Sequence, residues 1–337
     1  MMKLGDFDYR FPADLIAQYP LEQRDEARLL VVDRKTGRLH HDRFLSLKKY
    51  LPKESTLVVN DSKVIPARLW GRREKTGGKV EVFLLNRLSD GCSYEALIRP
   101  LKRLNTGEKI YFNGQKIYCE LRDPQKKIVK FNKKNILNDL EKIGHIPLPP
   151  YIKRMDEPSD REFYQTIYAR RPGSVASPTA GLHFTKPLLA GLRKDGHAIE
   201  RLTLHVNYAT FKPVTEEDMT RHQMHNESYE VSGALWQRLN KNKLSGRKIV
   251  AVGTTACRTL ETVAQSSNLK GKTNLFITPG FSFQMTDCLI TNFHVPKSTL
   301  FMLVCAFASR DLMRHAYRQA IRLKYRFFSY GDGMLIL

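Results

Sequence analysis

The sequence predicts an α/β protein interrupted by a small antiparallel β-barrel. Two observations carry that expectation and a third sets its scale. Strand and helix patterns alternate over residues 1–65 and resume at Tyr151. Between them, residues 66–150 hold short β-rich runs divided by turn signals. At 337 residues the chain is long enough for two domains, each with its own core.

In the first part, residues 12–19 read as a helical turn or two, stopped by Pro20. Residues 29–33 read as a buried strand, 44–51 as helical, and 56–60 as a second strand. That strand runs into Asn60, Asp61, Ser62 and Lys63. Polar residues at the C-terminal end of a buried strand are where open α/β sheets place ligands. A plain Asx-turn accounts for them equally well.

In 66–150 the β-rich runs fall at 80–85, 94–99, 109–112, 116–121 and 127–131. Gly77-Gly78, Asp90-Gly91, Asn105-Thr-Gly107 and Asn113-Gly114 separate them. Asn-Gly between two strand runs is a strong hairpin signal. Five or six antiparallel strands in so short a stretch suggest a barrel. The stretch carries 18 Lys and Arg against 9 Asp and Glu. A basic barrel suits an RNA backbone, and a structural insert with solvated lysines reads the same way. Pro147-Leu-Pro-Pro150 closes the unit as a stiff linker.

From Tyr151, residues 160–168 read as helical. Small and turn-forming residues then fill 174–185, which ends on His183 and runs into a helix over 186–194. Thr185 is placed to cap that helix, with Pro187 in its first turn. Strands follow at 199–206 and 228–231, and 235–239 is helical. The strand at 248–252 breaks at Gly253, Thr254 and Thr255 into a helix over 256–264. Strands are expected at 274–277 and 288–292. The alternation implies a largely parallel sheet. An apolar segment at 300–308, capped by Ser298 or Thr299, is core. Arg310, Arg314, Arg318, Arg322 and Arg326 then recur every four residues, either as a phosphate-contacting stripe or as a solvated helix face. The chain ends with Asp332 between glycines, before an apolar strand.

Composition narrows the function. The formal net charge is +22, which favours a polyanionic partner and nucleic acid first. No run of 18 apolar residues is present, and Met1–Asp6 has no apolar signal core, so no membrane span is expected and a cytoplasmic location is. Five cysteines, none in a Cys-x-x-Cys pair, fit a reducing compartment and argue against a zinc ribbon. No Gly-x-Gly-x-x-Gly follows a strand. Gly271-Lys-Thr273 imitates the end of a phosphate-binding loop, but position 266 holds serine where that loop needs glycine. His222, His225 and Glu227 have metal-like spacing without a further ligand, and no metal is expected. What remains is polar residues at strand and helix ends: His183, His205, Arg258, Glu261, Asp287, His294, Lys297 and Asp332. Gly253 to Thr255 at a helix start offers free N–H groups to a carboxylate or a ribose oxygen.

Six segments together carry a family resemblance. They are Asp61-Ser-Lys-Val-Ile-Pro-Ala-Arg-Leu69, Tyr164-Gln-Thr-Ile-Tyr-Ala169, Ser177-Pro-Thr-Ala-Gly-Leu-His-Phe184, Ala251-Val-Gly-Thr-Thr255 with Arg258-Thr-Leu-Glu261, Leu289-Ile-Thr-Asn-Phe-His294 with Pro296-Lys-Ser-Thr-Leu300, and Tyr325-Arg-Phe-Phe-Ser-Tyr-Gly-Asp332. The sequence resembles the S-adenosylmethionine:tRNA ribosyltransferase-isomerases of queuosine biosynthesis, over essentially its whole length. The resemblance implies a discontinuous α/β domain on a mixed sheet, 1–65 with 151–337, and an inserted barrel at 66–150. It implies transfer and isomerisation of the ribosyl part of S-adenosylmethionine onto 7-aminomethyl-7-deazaguanine at the wobble position of a tRNA with a GUN anticodon. Epoxyqueuosine, adenine and methionine are the products. S-adenosylmethionine is then a co-substrate, with no tightly bound cofactor, and the protein a cytoplasmic monomer. Departures from the family pattern are Asn207-Tyr208-Ala209 where Gly-Ala-Gly is usual, Ser177 for alanine, Val295 for leucine and Gly333 for alanine.

Residue type and motif membership together put His183 and His294 first as acid/base candidates, with Asp332 as orienting or basic carboxylate. Thr179, Gly181, Gly253, Thr254, Thr255, Arg258 and Glu261 are expected around S-adenosylmethionine, Arg258 and the two threonines at its carboxylate or ribose. Asp61 and Lys63 are expected at the rim, and Arg314, Arg318 and Arg322 on tRNA. An RNA methyltransferase and a non-catalytic RNA-binding protein are the rival classes.

Overall fold

The structure, a computed structural model, describes residues 3–112, 114, 116–208, 219 and 224–337. Asn113, Ala209 and His222, singled out above, lie outside the described residues.

The strands of the first part are β1 (Arg28–Val32), β2 (Leu39–Arg43), β3 (Thr56–Asn60) and β4 (Ser62–Val64). Those of the middle are β5 (Arg68–Arg73), β6 (Lys79–Arg87), β7 (Ser93–Arg99), β8 (Lys109–Phe112), β9 (Ile117–Asp123), β10 (Ile128–Phe131) and β11 (Gly144–His145), with α1 (Leu137–Ile143) before the last. The remainder holds α2 (Asp160–Phe163), β12 (Arg171–Ser174), α3 (Lys186–Lys194), β13 (Ala198–Leu204), β14 (Glu227–Glu230), α4 (Gly233–Leu244) and β15 (Ile249–Val252). It continues with α5 (Thr254–Ser266), β16 (Lys270–Thr273), β17 (Cys288–Asn292), α6 (Thr299–Ala308), α7 (Arg310–Arg322) and β18 (Gly333–Ile336).

The main sheet has nine strands in the order β16-β14-β13-β3-β15-β17-β18-β1-β2. Its centre is parallel: β3 lies between β13 and β15, and β15 pairs β17. β18 then inserts antiparallel to β17 and parallel to β1. The hairpin β1–β2 and the pairs β13–β14 and β14–β16 are antiparallel. The sheet is therefore mixed. The central strands Thr56–Asn60 and Ile249–Val252 are buried along their whole length, as strands covered on both faces must be.

One face carries α4, α5, α6 and α7 with the large core that includes Leu260, Phe293, Phe301 and Tyr317. The other packs Phe44, Phe184, Leu188 and Leu192. Local chemistry sets the helix starts. Thr185 Oγ1 accepts from Leu188 N at 3.3 Å with Pro187 in the first turn of α3, and Ser298 Oγ accepts from Phe301 N at 3.1 Å to begin α6.

One strand expectation and one helix expectation shift. Residues 274–277 are irregular, and the edge strand forms just before them at Lys270–Thr273. The charged, exposed β16 holds its place by pairing with β14, not through side-chain burial. Residues 160–168 give a helix only over Asp160–Phe163. Gln165 then leaves it to bond both Val64 N (3.0 Å) and Val64 O (2.7 Å), extending the edge of β4.

The middle strands run β11-β5-β6-β7-β10-β9-β8, and β5 also pairs β8, so six of them close into an antiparallel barrel. Val80, Val82, Ile98, Ile110, Phe112, Leu121 and Val129 fill it. Tyr208 reaches into this cluster from the α/β body, its ring 4.9 Å from Phe83 and edge-on to it.

Candidate active site

The C-terminal ends of β15 and β17 open on a cleft. Its walls come from four of the six motif segments: Ser177 to Ala180, Gly253 to Thr255, Thr291 to His294 with Ser298 and Leu300, and Phe328 with Ser329. Tyr151, Val206 and Val295 complete it. Ser177 and Val295, two of the departures, both face this space.

Helix α5 points its N-terminus into the cleft. Gly253, with φ 91° and ψ 153°, turns the chain from β15 into the helix, a conformation open essentially only to glycine. No side chain caps the helix, so the first-turn N–H groups near Thr254 and Thr255 face the cleft unpaired by a cap. Such an end attracts a carboxylate or other oxygen anion by about 0.3–1 kcal/mol from the dipole alone.

His294 stands opposite. Its Nε2 is 2.7 Å from Thr291 Oγ1, its backbone N donates to Tyr317 Oη at 2.9 Å, and its carbonyl accepts from Tyr9 Oη. Burial pushes its pKa down to about 3, so the imidazole is neutral.

His183 does not line this cleft. It lines a smaller hollow beside it with Arg24, Tyr330 and Gly331. Burial, and then the charges of Arg326 and Arg24, lower its pKa to about 3. The link between the two spaces is Asn292, which sequence reasoning missed. Its Nδ2 donates to His183 Nε2 and to Phe328 O, both at 3.2 Å. Those two bonds fix the amide, and Oδ1 is left buried without a hydrogen-bond partner. Ser177 Oγ, on the same cleft, is also buried and unpartnered. Ser329 touches both spaces and bonds Tyr151 at 2.7 Å.

The other expected residues are placed as follows. Thr179, Gly253, Thr254 and Thr255 line the cleft. Gly181 lies behind it, where a Cβ would come within 2.0 Å of Tyr168 Oη. This close contact explains why Tyr164-Gln-Thr-Ile-Tyr-Ala169 accompanies the Gly181 segment. Arg258 and Glu261 are on α5 but away from the cleft lining. Arg258 Nη1 meets Glu227 at 2.5 Å with both side chains 3% exposed, and its Nη2 is buried without a hydrogen-bond partner. Glu261 accepts from the backbone N of Gln284, Met285 and Thr286 and so ties the chain before β17 to the helix.

Asp332 is buried and accepts from Arg28 N (2.9 Å), Arg28 Nε (3.2 Å) and Arg326 N (2.7 Å). It fixes the turn from which Gly333 passes beneath His183, whose Cδ2 is 3.4 Å from the glycine's Cβ position. Asp61 is taken by Thr203 Oγ1 (2.6 Å) and Arg170 Nε (2.5 Å), while Lys63 is exposed. Asn60 Oδ1 accepts from Ser62 N, so the polar end of β3 carries the Asx-type turn that was one of its two readings.

On α7, Arg314 is half-buried and donates to Asp6 O, whereas Arg318 and Arg322 are exposed. The metal-like spacing has a different use at Glu227, which accepts from Asn207 N and pairs Arg258. No cluster of three or more His, Cys, Asp or Glu able to hold a metal occurs among the described residues. All five cysteines are free and buried. Among the described residues no helix is long and apolar enough to cross a membrane.

The family model described as "Queuosine biosynthesis protein" matches residues 4–336. The chain belongs to the queuosine biosynthesis protein family. Within that family it is 50% identical over 338 residues to the S-adenosylmethionine:tRNA ribosyltransferase-isomerase of Sulfurihydrogenibium sp., covering 100% of both chains. It is 49% identical to the protein of the same name from Carboxydothermus hydrogenoformans, again over 100% of each. Among solved structures, the S-adenosylmethionine tRNA ribosyltransferase of Thermotoga maritima matches with a TM-score of 0.58 at 36% identity. That match covers 98% of this chain and 100% of the other. The α/β fold with a barrel is thus the family's own.

Proposed function

We propose that the protein transfers and isomerises the ribosyl part of S-adenosylmethionine onto 7-aminomethyl-7-deazaguanine at the wobble position of a GUN-anticodon tRNA. Adenine and methionine leave, and epoxyqueuosine remains. One observation carries the reading: in a chain of this family, the uncapped N-terminus of α5, the neutral His294 and the unpaired amide oxygen of Asn292 belong to one cleft. The names borne by full-length relatives favour this reaction over methyl transfer or simple RNA binding.

Each group has a task the chemistry requires. The N–H groups at Thr254 and Thr255 hold the methionine carboxylate or a ribose oxygen. Hydrogens on the ribose C5′ are acidic beside the sulfonium, and His294, the imidazole on the cleft wall, takes one of them. The imidazolium so formed returns that proton to the leaving adenine, so the histidine ends as it began. The neutral aminomethyl nitrogen bonds the ribosyl fragment that adenine has left and releases one N–H proton to solvent; a ribose hydroxyl then displaces methionine to close the epoxide, its proton making up the hydrogen that carbon lost at the first step. Asn292 Oδ1 accepts an N–H of the bound substrate, while its Nδ2 bonds His183 and keeps it oriented. Asp332 acts as an orienting carboxylate through the turn it anchors. Arg258 and Glu261 hold α5 in place, and Thr179 and Gly181 shape the near wall. We assign the exposed Lys63 to the rim, with Asp61 bracing it from the buried end of β3, and the exposed Arg318 and Arg322, with Arg314, offer charge to tRNA. S-adenosylmethionine enters as co-substrate, and no tightly bound cofactor takes part. We assign residues 1–65 and 151–337 to the catalytic domain and 66–150 to the inserted barrel, in a monomeric cytoplasmic protein.

Products decide the class. Incubation with S-adenosylmethionine and tRNA carrying 7-aminomethyl-7-deazaguanine should release free adenine and methionine. Formation of S-adenosylhomocysteine instead would make the protein a methyltransferase, and no turnover would leave only a binding protein.

A further inference from the structure

The outer face of the barrel has a composition that its own stability does not require. Across β6, β5, β8 and β9, Lys79, Arg72, Tyr111 and Tyr118 stand directly opposite one another in register. The Tyr111 and Tyr118 rings are 5.2 Å apart, and Lys109 Nζ lies 5.3 Å from the Tyr118 ring. Trp70, two residues from Arg72 on the same face of β5, is 46% exposed. Trp70, Arg72, Lys79 and Tyr111 line an open groove together with Met155, which is 59% exposed.

The charge in this groove is uneven. Arg73 is neutralised by Glu108 at 2.7 and 3.0 Å. Glu74 accepts from Tyr111 Oη at 3.0 Å and from Lys109 at 3.5 Å. Arg72 and Lys79 remain exposed toward solvent beside the indole. Aromatic faces rimmed by cations suit a partner with flat π-systems on an anionic backbone, which is single-stranded nucleic acid.

The groove is also close to the cleft. Tyr151 lines the cleft and Met155 lines the groove. The chain between them spans at most about 14 Å even when fully extended. Chemistry on a base requires that base to leave its stack, and its neighbours then lose a stacking partner.

We infer that this barrel face is a stacking platform for the unpaired RNA bases that flank the modified nucleotide, with Trp70 as its principal ring. The inference rests on the tRNA reaction proposed above. Sequence reasoning found the barrel's charge but not this surface, because Trp70 and Tyr111 become neighbours only when β5 pairs β8 to close the barrel.

The test uses the full chain and a GUN-type anticodon stem-loop RNA carrying 7-aminomethyl-7-deazaguanine at the wobble position. Trp70→Ala should weaken RNA affinity about 5- to 100-fold and raise KM for the RNA. kcat at saturating RNA, S-adenosylmethionine affinity and melting temperature should stay at wild-type values, and Trp70→Phe should recover most of the loss. Replacing Arg72 and Lys79 together by alanine should flatten the salt dependence of binding, which Trp70→Ala leaves unchanged. Wild-type RNA affinity in Trp70→Ala overturns the platform alone. So does a loss that comes with a lowered melting temperature. A wild-type protein that fails to bind the RNA overturns the tRNA reading as well.

Discussion

At the scale of single residues, burial holds two imidazoles neutral, His294 on the cleft and His183 beside it. His183 and His294 each titrate near 3 in the folded chain, against an ordinary value of 6.5. The unfolded chain therefore takes up protons below about pH 6.5 that the folded chain refuses until about pH 3. Stability from these groups is intact above pH 6.5 and is lost as the pH falls toward 3. Replacing either histidine by glutamine removes that loss. The stability gap between wild type and His183→Gln or His294→Gln, measured by denaturant titration, should narrow from pH 7 to pH 4.5. A gap that widens with acidification would mean that the imidazoles are charged in the fold. His294, Thr254 and Thr255 were legible in the sequence because they sit in motifs at element ends. Asn292 and Ser329 were not, although they lie in the same motifs. Their importance comes from contacts with His183 and Tyr151, 109 and 178 residues away, and no local pattern encodes such contacts.

At the scale of elements, local chemistry read well and pairing did not. Thr185 and Ser298 cap α3 and α6 as their side chains allow. The strand expected at 274–277 formed instead at Lys270–Thr273, because pairing with β14 decided it. Alternation of strands and helices implied a largely parallel sheet, and it could not reveal that the chain's last strand enters antiparallel to β17. The turn at Gly253 is the element on which the cleft depends. Gly253→Ala places a Cβ in a backbone conformation that costs about 1–3 kcal/mol. The space around it is ordinary, with Thr255 Oγ1 at 3.6 Å and Ala180 at 3.7 Å, so the penalty is conformational. Denaturant titration should read a loss of that size, together with weaker S-adenosylmethionine binding as the α5 N–H groups shift. A Gly253→Ala variant as stable as wild type would refute this account of the turn.

At the scale of the whole molecule, the six motif segments are one structure. Gln165 bonds Val64, Tyr168 packs on Gly181, Asn292 bonds both His183 and the Phe328 carbonyl, and Gly253 N donates to Ile290 O. Tyr208 packs against Phe83, so one departure, a tyrosine at the middle position of the usual Gly-Ala-Gly, makes an aromatic contact between barrel and body. The charge that pointed to RNA is spread over barrel and body, and the cleft opens within a short chain length of the barrel's aromatic face. The central claim is that His294, in the cleft at the start of α5, moves the protons of the reaction. Its most direct test is single-turnover release of adenine by His294→Gln, with S-adenosylmethionine affinity measured on the same sample. Adenine release about 100-fold or more slower, at nearly unchanged affinity, is the expected result. Release at the wild-type rate would contradict it.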